Sequence, residues 1–230
     1  MGGRSGQKIS PPNPPSGYDF TKIEVDALTS GLTIDEVENY MKLSGLPYSF
    51  QGVVDVFSEY GDITLVSKDE ELDSKGELIQ GIRMVRVFHP NKTIYNSSIR
   101  ITNNTNKEPK YSGLDVFSNQ VKEAKKQGYK EITTTAAGDN YSISNGYYTW
   151  LRLGYKPDSN FDALERYKTN AGSYSVGVKK ITDLMKTEQG RKNWKYFGEG
   201  FQGTFDLSDN SYSMNTLNEY RKEKGLKTIK

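Results

Sequence analysis

Residues 113–138 read GLDVFSNQVKEAKKQGYKEITTTAAG, and residues 145–155 read NGYYTWLRLGY. In the first stretch Leu114, Phe117, Val121 and Ala124 recur at helical spacing as far as Gly128, a residue suited to a left-handed C-cap. This predicts one long helix. Lys130 to Ala136 then reads as a strand, Asn145 to Leu153 as a short helix, and Gly154-Tyr155 as the start of a further strand. The centre of the chain is therefore expected to be α/β.

Upstream, Asn103 to Lys110 is a polar loop, and before it the hydrophobic period changes to two. Val54, Val56 and Ile63, Leu65 flank the turn Glu59-Tyr-Gly-Asp62, a hairpin signal. Leu78 to Phe88 and Thr93 to Ile101 flank His89-Pro-Asn-Lys92, so an antiparallel meander is predicted. The acidic run Asp69 to Asp73 between the two hairpins reads as a solvated loop. Thr33-Ile-Asp-Glu36 has the form of a capping box, opening a helix with Ile34, Val37, Tyr40 and Met41 on one face and Gly45 and Pro47 at its end. Met1 to Gly17 is a Gly, Ser and Pro tract, in which Pro11, Pro12, Pro14 and Pro15 lack backbone donors and favour extended polyproline conformations. Such an arm is expected to be disordered alone, or held by a partner.

Downstream of Pro157 no strand is evident. Phe161 to Tyr167, Val176 to Met185 and Met214 to Lys224 carry helical patterns, separated by Gly-rich loops such as Gly198 to Gly203. The expected organisation is an arm over 1–17, an α/β domain over 18–157 and a helical extension over 158–230.

Composition narrows the chemistry. With no cysteine, disulfides, thiolate nucleophiles and Cys-ligated metals are excluded, and with His89 as the one histidine so are multi-His metal sites. A net charge of +2 gives no global field toward nucleic acid or membrane. Hydrophobic residues make up only 34% of the chain, which fits a thin core or one shared with a partner. No apolar stretch approaches the roughly 18 residues of a membrane span, and synthesis in the cytoplasm is the expectation. The sequons at Asn91, Asn96, Asn103 and Asn140 are read as products of an Asn, Ser and Thr-rich composition.

The order helix, four-strand meander, loop, long helix, strand, short helix, strand, together with the quoted residues 113–155, resembles the Gcn5-related N-acetyltransferase superfamily over roughly residues 33 to 157. The second segment also resembles GNAT-like domains of bacteriophage head-associated proteins. The resemblance implies a mixed, mostly antiparallel sheet flanked by helices. It also implies that a loop and helix N-terminus cradle the pyrophosphate of acetyl-CoA, and that a tyrosine four residues before a late glycine protonates the departing thiolate. Lys110, Ser112, Gly113, Leu114 and Asp115 occupy the place of that loop.

Two departures from the superfamily stand out. Asp115 puts a carboxylate in the first helical turn, where it answers the dipole itself and repels a phosphate. The position four before Gly154 is Trp150, whose indole is no useful acid, so Tyr147 or Tyr148 would have to replace the missing donor. The cluster Asn145 to Trp150 reads either as an aromatic helix face packed on the sheet or as part of a ligand pocket.

The function these readings favour is a structural or binding component of a phage particle with an impaired acetyl-CoA loop, with no cofactor expected and other protein subunits held through Met1 to Gly17. The alternatives are an active N-acyltransferase using acetyl-CoA and a nucleic-acid-binding module. The latter rests on Arg191 to Phe197, where cations alternate with aromatics either to line a nucleic-acid groove or to snorkel around packed rings. His89, in a turn, reads as a solvated residue.

Overall fold

A computed structural model describes residues 17–26, 31–105, 108–139, 141, 145–158 and 162–230. Apart from Gly17, the N-terminal arm lies outside the described residues, as does Asn140. The chain forms two compact units that meet in sequence at Gly128 and Tyr129.

In the first unit, β1 (Glu24–Asp26) and α1 (Ile34–Ser44) precede β2 (Val53–Glu59), β3 (Asp62–Leu72), β4 (Leu78–His89), β5 (Thr93–Asn103) and α2 (Gly113–Lys126). The strands lie in the order β1-β2-β3-β4-β5, with β1 parallel to β2 and the rest an antiparallel meander. Thr33 and Glu36 close the expected capping box on α1, and Gly45 ends it in the left-handed region at φ 80°. Gly45 is required twice over, because a Cβ there would stand 2.0 Å from the Val116 carbonyl oxygen of α2. Val54, Val56, Leu65, Ile82, Met84 and Ile94 point into a core completed by Val37 and Met41 of α1 and Val121 and Ala124 of α2.

Both hairpins have the turns expected. Tyr60 and Gly61, at φ 52° and 88°, make the mirror-image turn that matches strand twist, although Tyr pays there for a conformation that favours Asn or Gly. On β5, Ser97 has no cross-strand partner on β4: Val85 opposes Ser98 and Arg86 opposes Asn96, which is a bulge. Asn96 and Gln120 exchange amide hydrogen bonds of 2.8 and 2.9 Å, both fully buried, and tie β5 to α2. A sequon asparagine locked in this way has no surface on which to carry a glycan.

One expectation fails here. Asp69 to Asp73, read as a solvated loop, is mostly strand, because β3 runs on to Leu72. Ile63, Leu65, Ser67 and Asp69 alternate inward without a break, while Lys68 and Glu70 pair at 3.0 Å on the outer face. The inward period persisted through polar residues, which a hydrophobicity pattern does not register. Gly81, opposite Glu70, lets the strands close: a Cβ there would lie 2.3 Å from the Asp69 carbonyl oxygen.

The second unit holds β6 (Glu131–Asp139), α3 (Gly146–Arg152), β7 (Lys156–Pro157), α4 (Ala163–Ala171), α5 (Ile181–Leu184), α6 (Glu188–Phe197), β8 (Glu199–Asp206) and α7 (Tyr212–Glu223). Its strands are antiparallel in the order β6-β8-β7. Helices stand at Ala163–Ala171 and Tyr212–Glu223 as expected, but only Ile181–Leu184 of the expected Val176 to Met185 stretch is α-helical, and β8 corrects the reading of Gly198 to Gly203 as a loop. Phe201 and Phe205 face inward at alternate positions, opposite Ala136 and Ile132 of β6. The glycines serve close approach: a Cβ on Gly200 would come within 2.7 Å of the Ala136 carbonyl oxygen, and one on Gly203 within 2.6 Å of the Phe201 ring. The C-terminal third therefore supplies the middle strand of this sheet, besides its helices. The basic chain end is pinned back on α7, where Asn218 brackets the backbone of Ile229 at 2.7 and 2.9 Å. Among the described residues no helix is long and apolar enough to cross a membrane.

Candidate functional site

The expected site residues fall in both units, Lys110 to Asp115 in the first and Tyr147 and Tyr148 in the second, and each group is described within its own unit. Ser112 is the N-cap of α2: its hydroxyl accepts from the Asp115 N–H at 3.3 Å and its carbonyl from the Val116 N–H at 3.0 Å. The Val116 bond is the first of the helix's own ladder, so of the leading N–H groups that lack a ladder partner the Ser112 hydroxyl caps that of Asp115. Gly113 has room for a methyl, meeting only Ile101 Cδ1 at 3.6 Å, so neither packing nor backbone conformation demands glycine there. Asp115 is exposed, with its carboxylate in the same first turn.

Lys110 does not point a spare charge at this turn. Its Nζ lies 2.7 Å from Asp69 Oδ2, an oxygen that also accepts from the buried Tyr111 hydroxyl and, at 3.3 Å, from the Gln51 N–H. Burial, followed by the adjoining Asp69 carboxylate, holds the Tyr111 hydroxyl protonated far above its ordinary range. Asp69 thus anchors the segment leading into α2, at 9% exposed. Sequence reasoning passed over it. The available signal was its place as the fourth inward position after Ile63, Leu65 and Ser67.

In the second unit α3 turns its apolar side inward, with Tyr147 3%, Trp150 6% and Leu151 0% exposed. The Tyr147 hydroxyl donates to the Lys195 carbonyl at 2.6 Å. Burial, then Asp139 and Tyr148, push its pKa up. A proton so held is less available to a leaving thiolate. Tyr148 is half-buried, with the Lys195 ammonium 6.0 Å from its ring centre. Trp150 meets Tyr155 edge to face at 5.0 Å. Gly154, at φ 106°, is fixed by the fold, since a Cβ would stand 2.5 Å from the Ser213 carbonyl oxygen. His89 pairs through Nδ1 with Asp62 at 2.9 Å, across the first residue of β3 and the last of β4. Among the described residues no group of three or more His, Asp or Glu side chains is placed to hold a metal ion.

The chain is a mixed α/β protein in which one helix, a four-strand meander, a long helix, a strand, a short helix and a strand follow in the order that the acetyltransferase resemblance implies. No protein-family model matches it, and no curated protein does. Among solved structures it is similar to the crystal structure of nourseothricin acetyltransferase, at 9% identity over 65% of this chain and 67% of that one, with a TM-score of 0.32.

Proposed function

We propose that the protein is a binding or structural component on a GNAT-like scaffold whose acetyl-CoA loop is impaired. The observation that carries this reading is the occupation of the loop by the protein's own charges: Asp69 neutralises Lys110, and Asp115 stands in the turn a pyrophosphate would need. A carboxylate at contact range from a phosphate costs about 1 to 4 kcal/mol depending on local dielectric. That corresponds to a roughly tenfold to several hundredfold loss of affinity. The Tyr147 proton, engaged on the Lys195 carbonyl, adds a second reason against acyl transfer.

Titration calorimetry with CoA should give a dissociation constant no tighter than roughly 100 μM. Asp115→Asn, which removes the repelling charge and keeps a helix-compatible side chain, should tighten it about tenfold. A low-micromolar constant for the unaltered protein would sink the reading in favour of an active N-acyltransferase passing an acetyl group to an amine.

The resemblance of residues 145–155 to phage head-associated domains supports a place for this component in a particle. The composition of Met1 to Gly17 supports contact with other subunits through that arm, since prolines lower the entropy lost on docking. Deleting residues 1–17 should leave the melting temperature of the isolated protein within about 2 °C and reduce its incorporation into the native assembly. A truncated protein that assembles normally would remove the arm from this role.

A further inference from the structure

On the second unit, the segment from Gly172 to Phe197 carries both a surface of stacked rings and exposed lysines. Tyr174 stacks on Phe197 with centres 5.5 Å apart and planes 25° apart, and Tyr196 meets Phe197 edge-on at 4.9 Å. Tyr174 and Tyr196 are each 62% exposed, so the stack shows tyrosine faces to solvent. Burying these rings would be the ordinary outcome in a chain with so thin an apolar complement. The loop that presents Tyr174 is held by its own turns. Ser175 Oγ donates to the Gly172 carbonyl at 2.6 Å, and the Val178 N–H donates to the Ser175 carbonyl at 3.0 Å. The platform is therefore ordered before any ligand arrives.

The charge of this segment is one-sided. Between Gly172 and Phe197 there are six cations, Lys179, Lys180, Lys186, Arg191, Lys192 and Lys195, against the carboxylates Asp183 and Glu188. Asp183 pairs with Lys186 at 2.6 Å and Glu188 with Lys192 at 2.7 Å, so both acids are answered by a cation three or four residues on. Lys179, Lys180 and Lys195 are exposed and make no ion pair among the described residues, Lys195 lying 6.0 Å from the Tyr148 ring centre. Trp194, central to the cation and aromatic run in the sequence, is fully buried and takes no part. The exposed rings come from α6 and from the loop after α4, a juxtaposition invisible in the sequence.

We infer that this face binds single-stranded nucleic acid, with bases stacking on Tyr174 and Tyr196 and the backbone phosphates tracking Lys179, Lys180 and Lys195. Stacking accepts any base, and lysines attract phosphate without reading sequence, so the binding is sequence-tolerant. A duplex hides its base faces and gains only the electrostatic part. The inference goes beyond the proposal above and does not depend on it, because CoA affinity and strand binding are read at different residues.

Fluorescence anisotropy with labelled oligothymidylate of twelve nucleotides, compared with a duplex of the same length, tests it. At 50 mM salt the single strand should bind in the micromolar range and at least fivefold tighter than the duplex. Tyr174→Ala and Tyr196→Ala should each weaken it roughly 5- to 100-fold, with unchanged circular dichroism and unchanged CoA calorimetry. The double variant Lys179→Ala/Lys180→Ala should make the slope of log affinity against log salt shallower by about 1.4. Three outcomes overturn the inference: no binding below 100 μM, equal affinity for duplex with the tyrosine variants unaffected, or self-association of the protein that the tyrosine variants abolish, which would make the face a protein interface.

Discussion

Trp194→Ala is expected to destabilise the second unit by about 4 to 5 kcal/mol, the largest single-site effect in the protein. The ring is fully buried, packs against Tyr147, Tyr167 and Phe201 with centres 5.5 to 6.4 Å away, and donates from Nε1 to the Tyr147 carbonyl at 3.1 Å. Truncation opens a cavity that three aromatic neighbours cannot collapse into, and it leaves a buried carbonyl without its donor. Gly198 sits against the same ring, with a Cβ position 2.7 Å from it, so the β8 end cannot move in to fill the space. Trp194→Phe keeps most of the apolar volume and loses the hydrogen bond, and should cost about 1 to 2 kcal/mol. Calorimetric melting separates the two. A loss under 2 kcal/mol for the alanine variant would show that the ring does not sit in a closed core.

Asp69→Ala should cost about 3 to 4 kcal/mol in the first unit. One carboxylate oxygen receives Lys110, the Tyr111 hydroxyl and the Gln51 N–H, and its removal strands a buried phenol, Tyr111 being 3% exposed. Lys110 is about a third exposed and can turn to water, so most of the penalty belongs to Tyr111. Asp69→Asn retains an acceptor for the phenol and should recover roughly half of the loss. The pair Asp69→Ala and Tyr111→Phe should then be markedly less than additive, by at least about 1 kcal/mol, because the second change removes the stranded group. Full additivity in chemical denaturation would mean that the two side chains do not share this bond.

The fold was largely legible where local chemistry and hydrophobic period agreed. The capping box of Thr33 and Glu36, the Tyr60-Gly61 turn, the Leu114 to Ala124 stripe and the helical phase from Asn145 each carried their element. Three strand segments were missed, β1 and two others, because they are short or built of residues poor in hydrophobic signal. The end of β3 faces inward with Ser67 and Asp69, and β8 alternates phenylalanine with glycine. Of the candidate site, Ser112 emerged as the cap of α2 only in the structure, whereas the conflict posed by Asp115 could be read from spacing. That Lys110 is engaged by a residue 41 positions earlier in the chain could not.

The sequence by itself determined the order of elements from α1 to α3, the absence of thiol and multi-histidine chemistry, the capping box of α1 and the carboxylate in the first turn of α2, because each depends on residue types or on residues within a few positions of one another. Only the tertiary structure decided that Asp69 closes on Lys110 and Tyr111, that Tyr147 spends its proton on Lys195, that Trp194 is core, and that Tyr174 joins Tyr196 and Phe197 at the surface. These are pairings between groups far apart in the chain, and they are selected by burial and by the need to satisfy every buried polar group, which no local spacing encodes.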